Sequence, residues 1–193
     1  MSPSPLDELL RRTPELASAR HSIQQSYDAL HTCFALGSKV LLCGNGGSAA
    51  DAEHWAGELL KGFRRMRPLA KAQQEKLPPE IARHLQGALA AIPLTGFPAF
   101  ATAYANDVKG EMTFAQLTWA LGRTGDVWVG LSTSGNARNV CAGAEVARAM
   151  GLATISLTGQ GGGRLAPLCD IAIHAPVTET FRVQEYHLSI YHC

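Results

Sequence analysis

The sequence is short of charge. Asp, Glu, Lys and Arg make up 17% of the 193 residues, and the formal net charge is +1. A nearly neutral chain gives no electrostatic case for nucleic acid or a membrane surface as partner. So little charge at this size points instead to faces buried in an oligomer. No apolar run approaches the length of a membrane span. The N-terminal stretch MSPSPLDELLRRTPEL has no apolar core, so no signal peptide is expected there. The five cysteines (Cys33, Cys43, Cys141, Cys169 and Cys193) are odd in number, and no two have metal-knuckle spacing. Reduced packing thiols in a cytoplasmic protein follow as the expectation. Repeats and low-complexity linkers are absent, and nothing in the first forty residues reads as helix-turn-helix. Residues 1–193 are expected to form one domain.

What is present is a compact-domain apolar content, 46%, arranged in alternating short strands and helices. An N-terminal helical segment is expected over about 1–36, with residues from about Pro14 to Leu36 reading as one long helix that Gly37 and Ser38 end. KVLLC (39–43) reads as a buried strand and SAADAEHWAGELLKGF as a helix. The polar stretch around 68–90 holds a helix start at Pro78–Glu80. AAIPLT (90–95) reads as an edge strand because of Pro93. Helices follow near 98–105 and 111–122, then strand DVWVGLS (126–132), an Ala-rich helix closed by Gly151, strands LATISLT and DIAIHAP, and a last helix. This order predicts an α/β fold: a three-layer α/β/α sandwich with a parallel five-stranded sheet and a long N-terminal helix. Ligands bind such folds outside the carboxyl ends of the strands. The turns CGNGGS, LSTSGN and LTGQGGG should therefore share one sheet edge.

The turn Gly44–Ser48 is neither Gly-x-Gly-x-x-Gly nor a nucleotide P-loop. It reads either as a tight βα turn or as a place where backbone N–H groups meet an anion at a helix start. Ser132, Thr133 and Ser134 give the second turn hydroxyl donors as well. A ring of neutral donors suits a sugar phosphate; a well-capped helix start is the plainer reading. His54 and Glu58 are spaced i, i+4 on one helix face. They form either a surface pair or groups suited to moving protons or holding zinc. Gln184, His187 and His192 lie on the last helix, as a polar solvent face or as site residues. Gln184 and His192 are eight residues apart, about 12 Å along an ideal helix. They meet at one small ligand only through a bend, an inward reach or a second subunit. Trp55, Trp119 and Trp128 read as core or interface residues. The Arg64–Arg67 cluster reads as a solvated loop that is also placed to gate the cleft.

Together CGNGGSAADAEHWAGEL, ANDVKGE, GDVWVGLSTSGNARNV, LTGQGGGRLAPLCDIAI and RVQEYHLSIYH resemble the sugar isomerase (SIS) domain family, and within it the phosphoheptose isomerases. The resemblance covers residues from about 30 to 193. It implies a cytoplasmic aldose–ketose isomerase that converts sedoheptulose 7-phosphate to a D-glycero-heptose 7-phosphate, of manno or altro configuration, through an enediol. It implies that Asn45, Gly46 and Gly47 line the substrate, that Asn106 and Asp107 bond the sugar, and that Ser132, Thr133 and Ser134 hold the phosphate. Glu58 and His192 are implied as the acid/base pair, with Gln184 contacting substrate. Some members bind zinc through residues matching His54, Glu58, Gln184 and His192. No nucleotide or redox cofactor is implied. The family is a homotetramer with active sites between subunits, which would ease the Gln184–His192 distance. Two relatives of the fold lack this chemistry: a non-catalytic protein that partners the bacterial replication initiator, and a sugar-phosphate-sensing domain. Retained Glu58, Gln184 and His192 argue against the first.

Three departures stand out. Ala137 replaces a serine usual in the phosphate loop. The 68–90 segment is longer than the usual connection, so an extra helical piece is expected at the cleft entrance. The sequence stops at Cys193, which puts His192 on a helix end unless a neighbouring subunit packs over it.

Overall fold

A computed structural model describes residues 3–193. The chain opens with helix α1 (Pro5–Arg12), a 3₁₀ segment (Pro14–Ala19) and α2 (Arg20–Ala35). Strand β1 (Val40–Cys43) leads into α3 (Gly47–Leu60). Two single-turn helices, α4 (Lys71–Gln74) and α5 (Pro79–Ala82), precede β2 (Ala91–Pro93). Then come α6 (Pro98–Tyr104), a π-helical turn (Ala105–Lys109) and α7 (Thr113–Leu121). The chain continues through β3 (Val127–Ser132), α8 (Arg138–Ala149), β4 (Ala153–Thr158), β5 (Ile171–His174) and α9 (Thr180–Tyr191).

The five strands pair in parallel in the order β2-β1-β3-β4-β5. Parallel strands need both faces covered, and successive side chains along a strand point to opposite faces. Val40 and Leu42 of β1, with Val127, Val129 and Leu131 of β3, pack against α1, α2, α3 and α9. Leu41, Cys43 and Trp128 face the other way, against α7 and α8. Trp128 is fully buried, and its indole N–H donates to Thr118 Oγ1 at 3.1 Å, so its one polar atom is matched. Pro93 stands in the edge strand β2, where its missing N–H costs no ladder bond.

The α/β/α sandwich is as expected; several local details differ. The helix expected from Pro14 starts as 3₁₀, because the buried residues there, Leu16 and Ala19, are three apart and fit three residues per turn. Trp55 and Trp128 are buried, but Trp119 is 64% exposed on the outer side of α7. Cys33, Cys43 and Cys141 are buried packing residues, whereas Cys193 is exposed. His187 is not on a solvent face: it is fully buried. Arg67 is not a free loop cation either. Its guanidinium donates to the carbonyls of Leu59, Lys61 and Gly87 and so caps the end of α3. Arg64 pairs with Glu8 at 3.0 Å. The 68–90 segment carries the two short helices and closes on itself through the Pro68–Gln86 bridge.

The order of strands fixes where a ligand fits. From β1 the chain steps outward to β2, then crosses back to β3 on the other side of β1. The loops after β1 and β3 therefore leave the sheet in opposite directions and open a crevice between them. Those loops are Gly44–Gly46 and Thr133–Ala137.

Candidate active site

Asn45 spans the crevice. Its amide donates to Asn139 Oδ1 at 2.8 Å, and the Asn139 amide returns a bond to Asn45 Oδ1 at 2.9 Å. Asn139 sits in the first turn of α8, so this reciprocal pair ties the first loop to the helix after the second. The sequence offered no special signal for Asn139 beyond its polar type beside the loop.

The second loop is internally bonded. Ser134 Oγ accepts from Asn136 N at 3.2 Å, and the Asn136 side chain donates to Ser134 O at 3.0 Å. Asn136 in turn accepts from the backbone N–H of Arg164 through Oδ1 and from the Arg164 guanidinium through its carbonyl, each at 3.2 Å. Gly135 has φ +67°, and a Cβ there would lie 2.0 Å from Gly162 O, so the LTGQGGG turn packs directly on this loop. Three glycine-rich turns thus meet at one edge of the sheet.

Helices α3 and α9 lie side by side and run in the same direction. Near the start of both, the Gln184 side chain fills the space where Gly47 lacks a Cβ; the nearest atom would be 2.2 Å from it. About two turns on, Tyr191 and His192 meet His54. The 12 Å between Gln184 and His192 is therefore taken up by two stations along α3. Gln184 serves the glycine turn, and His192 serves His54 and Glu58. Within one chain the structure does not bring Gln184 to the other three.

At the second station, ligand-type atoms of His54, Glu58 and His192 all lie within 4.8 Å of one another. His54 Nε2 is 3.4 Å from Glu58 Oε1, and the His54 and His192 rings cross nearly at right angles with centroids 5.0 Å apart. Glu58 Oε2 and His192 Nε2 are buried without a hydrogen-bond partner. Lys61 stands 3.8 Å from that carboxylate oxygen, too far to bond it. Phe63 packs on His192 with ring centroids 5.0 Å apart. Two imidazoles and a carboxylate with open atoms make a donor set that can hold a divalent metal ion. Burial, then the neighbouring His54, pushes the His192 pKa down, with Glu58 opposing. The ring is then largely neutral, with one N–H to give and one lone pair to receive.

Two residues at this station were not singled out from the sequence. Tyr191 donates its hydroxyl to Asp51 Oδ1 at 3.1 Å and stands 3.0 Å from His54 Nδ1. Asp51 is one turn before His54 on the same helix face, a spacing that could have flagged it. Tyr191 has no such signal. Asn106 and Asp107 lie on the π-helical turn, exposed, with the Asn106 amide donating to Asp107 Oδ1 at 2.8 Å. No hydrogen bond joins them to the two loops among the described residues. The hollows lined by Trp119–Met150 and by Asp28–Ala153, about 650 and 440 Å³, open at the opposite end of the sheet. Neither hollow is lined by the candidate site residues.

The SIS domain family profile matches residues 6–159. The chain belongs to the SIS domain family. Phosphoheptose isomerase of Desulfovibrio desulfuricans is 42% identical over 160 residues, covering 83% of this chain and 67% of that one. Phosphoheptose isomerase of Maridesulfovibrio salexigens is 36% identical over 200 residues, 100% of this chain and 88% of its own. The solved phosphoheptose isomerase GmhA from Neisseria gonorrhoeae superposes with a TM-score of 0.77 at 33% identity, over 96% of this chain and 90% of that one. Within the SIS family the chain stands with the phosphoheptose isomerases and is a sugar-phosphate isomerase. The non-catalytic partner and the sensing domain are not favoured by these relatives. No helix among the described residues is long and apolar enough to cross a membrane.

Proposed function

We propose that the chain interconverts sedoheptulose 7-phosphate and a D-glycero-heptose 7-phosphate, manno or altro configured, in the groove between the two loops and α9. The observation that carries this is the Glu58–His192–His54 cluster with unmatched buried oxygen and nitrogen atoms. The names of the relatives supply the substrate.

The roles follow from position. Ser132, Thr133 and Ser134 hold the phosphate at the start of α8, where the helix end favours an anion. Asn45, Gly46 and Gly47 line the chain of the sugar, and Gln184 contacts it there; Asn106 and Asp107 bond its hydroxyls. Glu58 removes the proton alpha to the carbonyl, exchanges it with solvent while the enediol stands, and protonates the neighbouring carbon. His192 moves the proton between the carbonyl and hydroxyl oxygens. The phosphate lies far from the reacting carbons, so its binding positions the chain. His54, Glu58 and His192 fit zinc, with Gln184 as the fourth residue of the proposed set. When bound, zinc would supply Lewis acidity to the substrate's oxygens. Gln184 stands at Gly47, about 10 Å along α3 from His54, so its part in that set needs a closer approach than one chain provides.

We place the protein in the cytoplasm as a homotetramer with sites between subunits. Five unpaired cysteines support the first. The open groove and the exposed Leu36, Met66, Trp119 and Phe181 support the second. Incubation with sedoheptulose 7-phosphate in deuterated water, followed by NMR, tests the activity. The expected result is an aldose carrying deuterium at carbon 2, with its configuration read directly. Folded protein that forms no aldose would end this reading. Zinc is checked by metal analysis of protein purified without chelator, with activity before and after chelation. Full activity without metal would rule out zinc as a requirement.

A further inference from the structure

We propose that Asp51 and Tyr191 act as a positioning pair that holds His54 in its Nδ1–H tautomer and turns its Nε2 lone pair toward Glu58 and His192. The tautomer follows from counting protons. A phenol has one proton to give. Tyr191 lies 3.1 Å from Asp51 Oδ1 and 3.0 Å from His54 Nδ1, and an ionised carboxylate can only accept. The Tyr191 proton therefore goes to Asp51, and the tyrosine oxygen is left to accept from His54. The proton of a neutral His54 then sits on Nδ1, and Nε2 carries the lone pair.

Packing fixes the tyrosine that does this. Its ring is stacked on Trp55 with centroids 5.5 Å apart and planes 15° apart, and it stands edge-on to His54. Tyr191 is 8% exposed. Asp51, His54 and Trp55 all belong to α3, so one helix carries the carboxylate, the imidazole and the stacking surface. The hydroxyl joins them from α9. What results is a lone pair 3.4 Å from a carboxylate oxygen. The lone pair and the carboxylate oxygen face one gap, and a cation placed in it is held from both sides. The pair therefore prepares His54 to ligate a cation rather than to bond Glu58. Partners that fix the far nitrogen of a metal-binding histidine in this way raise its ligand strength.

This inference rests on the metal role assigned above, but its first test does not need activity. The ¹⁵N shifts of His54 in the metal-free full chain report which nitrogen carries the proton. The wild type should show the Nδ1–H form. Tyr191→Phe keeps the ring and its stack, loses one oxygen, and should give a mixture of tautomers. Asp51→Ala takes away the acceptor, so the tyrosine should turn its proton onto His54 and leave the Nε2–H form. A merely structural role predicts no such reversal. Zinc affinity, measured by chelator competition, should fall about 10- to 100-fold in both variants. An Nε2–H wild type, or unchanged spectra and zinc affinity in both variants, would overturn the proposal. If heptulose phosphate is not isomerised but the spectra behave as stated, the isomerase reading fails and the positioning pair stands.

Discussion

The two loops at the mouth of the crevice are built alike and finished differently. Each follows a buried strand, turns on glycine and opens a helix. After β3 the loop is closed upon itself: Ser134, Asn136 and Arg164 match one another, and Gly135 fits the Gly162 carbonyl. After β1 the loop leads into α3, where Asp51 Oδ2 and Glu58 Oε2 are left without partners, as is His192 Nε2 across from them. Buried polar atoms are normally matched, and unmatched ones mark places that await a ligand or a reaction. The same strand–turn–helix unit thus serves as an internally bonded anchor in one copy and carries unmatched polar atoms in the other.

The sharpest way to break this contrast is at Glu58. Glu58→Gln keeps size and hydrogen bonding but removes the carboxylate proposed as base, and turnover should fall at least ~10²-fold with the fold unchanged. Near-normal steady-state turnover would remove Glu58 from its role. On the anchor side, Gly135→Ala forces a side chain into the left-handed region and against Gly162 O. Stability should drop by about 3 kcal/mol, the sum of backbone strain and overpacking. Urea denaturation measures it, and a loss under 1 kcal/mol would show that the anchor is soft.

His187 sharpens the comparison through pH. Its Nε2 lies 3.3 Å from the Thr158 carbonyl at the end of β4, and that oxygen can only accept, so Nε2 donates. Burial lowers the pKa to about 4. The ring is neutral in the fold, and the unfolded chain takes up its proton first, near pH 6.5. Stability from this group is complete above that pH and is lost as pH falls toward 4. Between pH 8 and pH 5 the loss should be about 2 kcal/mol. His187→Asn should flatten that part of the denaturation profile; an unchanged slope would show that His187 is not its source.

The smallest effect belongs to the anchor loop. Ala137→Ser adds one hydroxyl donor just before α8, where the phosphate is placed. One such bond to a charged group is worth about 1.5 kcal/mol at the low end of its range. The Michaelis constant for the heptulose phosphate should fall about tenfold with little change in kcat. A rise instead would move the phosphate to another place.

Much of the fold was legible because its signals are local. Four-residue apolar runs ending in glycine turns mark parallel strands, and helical spacing marks α3, α8 and α9. The candidate residues at the carboxyl edge follow from the same turns. What was not legible depends on partners distant in sequence. Arg67 looks like one more surface cation until the carbonyls at the end of α3 are placed beside it. Tyr191 looks like a core aromatic until its hydroxyl meets Asp51, and His187 looks solvent-facing until α9 is set against β4. The π-helical turn at Ala105–Lys109 has no compositional mark at all.

The side-by-side course of α3 and α9 has an electrostatic consequence. Peptide dipoles in a helix add up to roughly half a positive charge at the N-terminus and half a negative charge at the C-terminus. Because the two helices point the same way, their positive ends converge on Gly47 and Gln184, and their negative ends converge on Glu58 and His192. A field therefore runs along the groove without any charged side chain being required. The glycine end favours negative charge. At the other end the field favours a cation. The Arg67 guanidinium, seated on the last carbonyls of α3, trims that negative end and sets how strong the pull becomes.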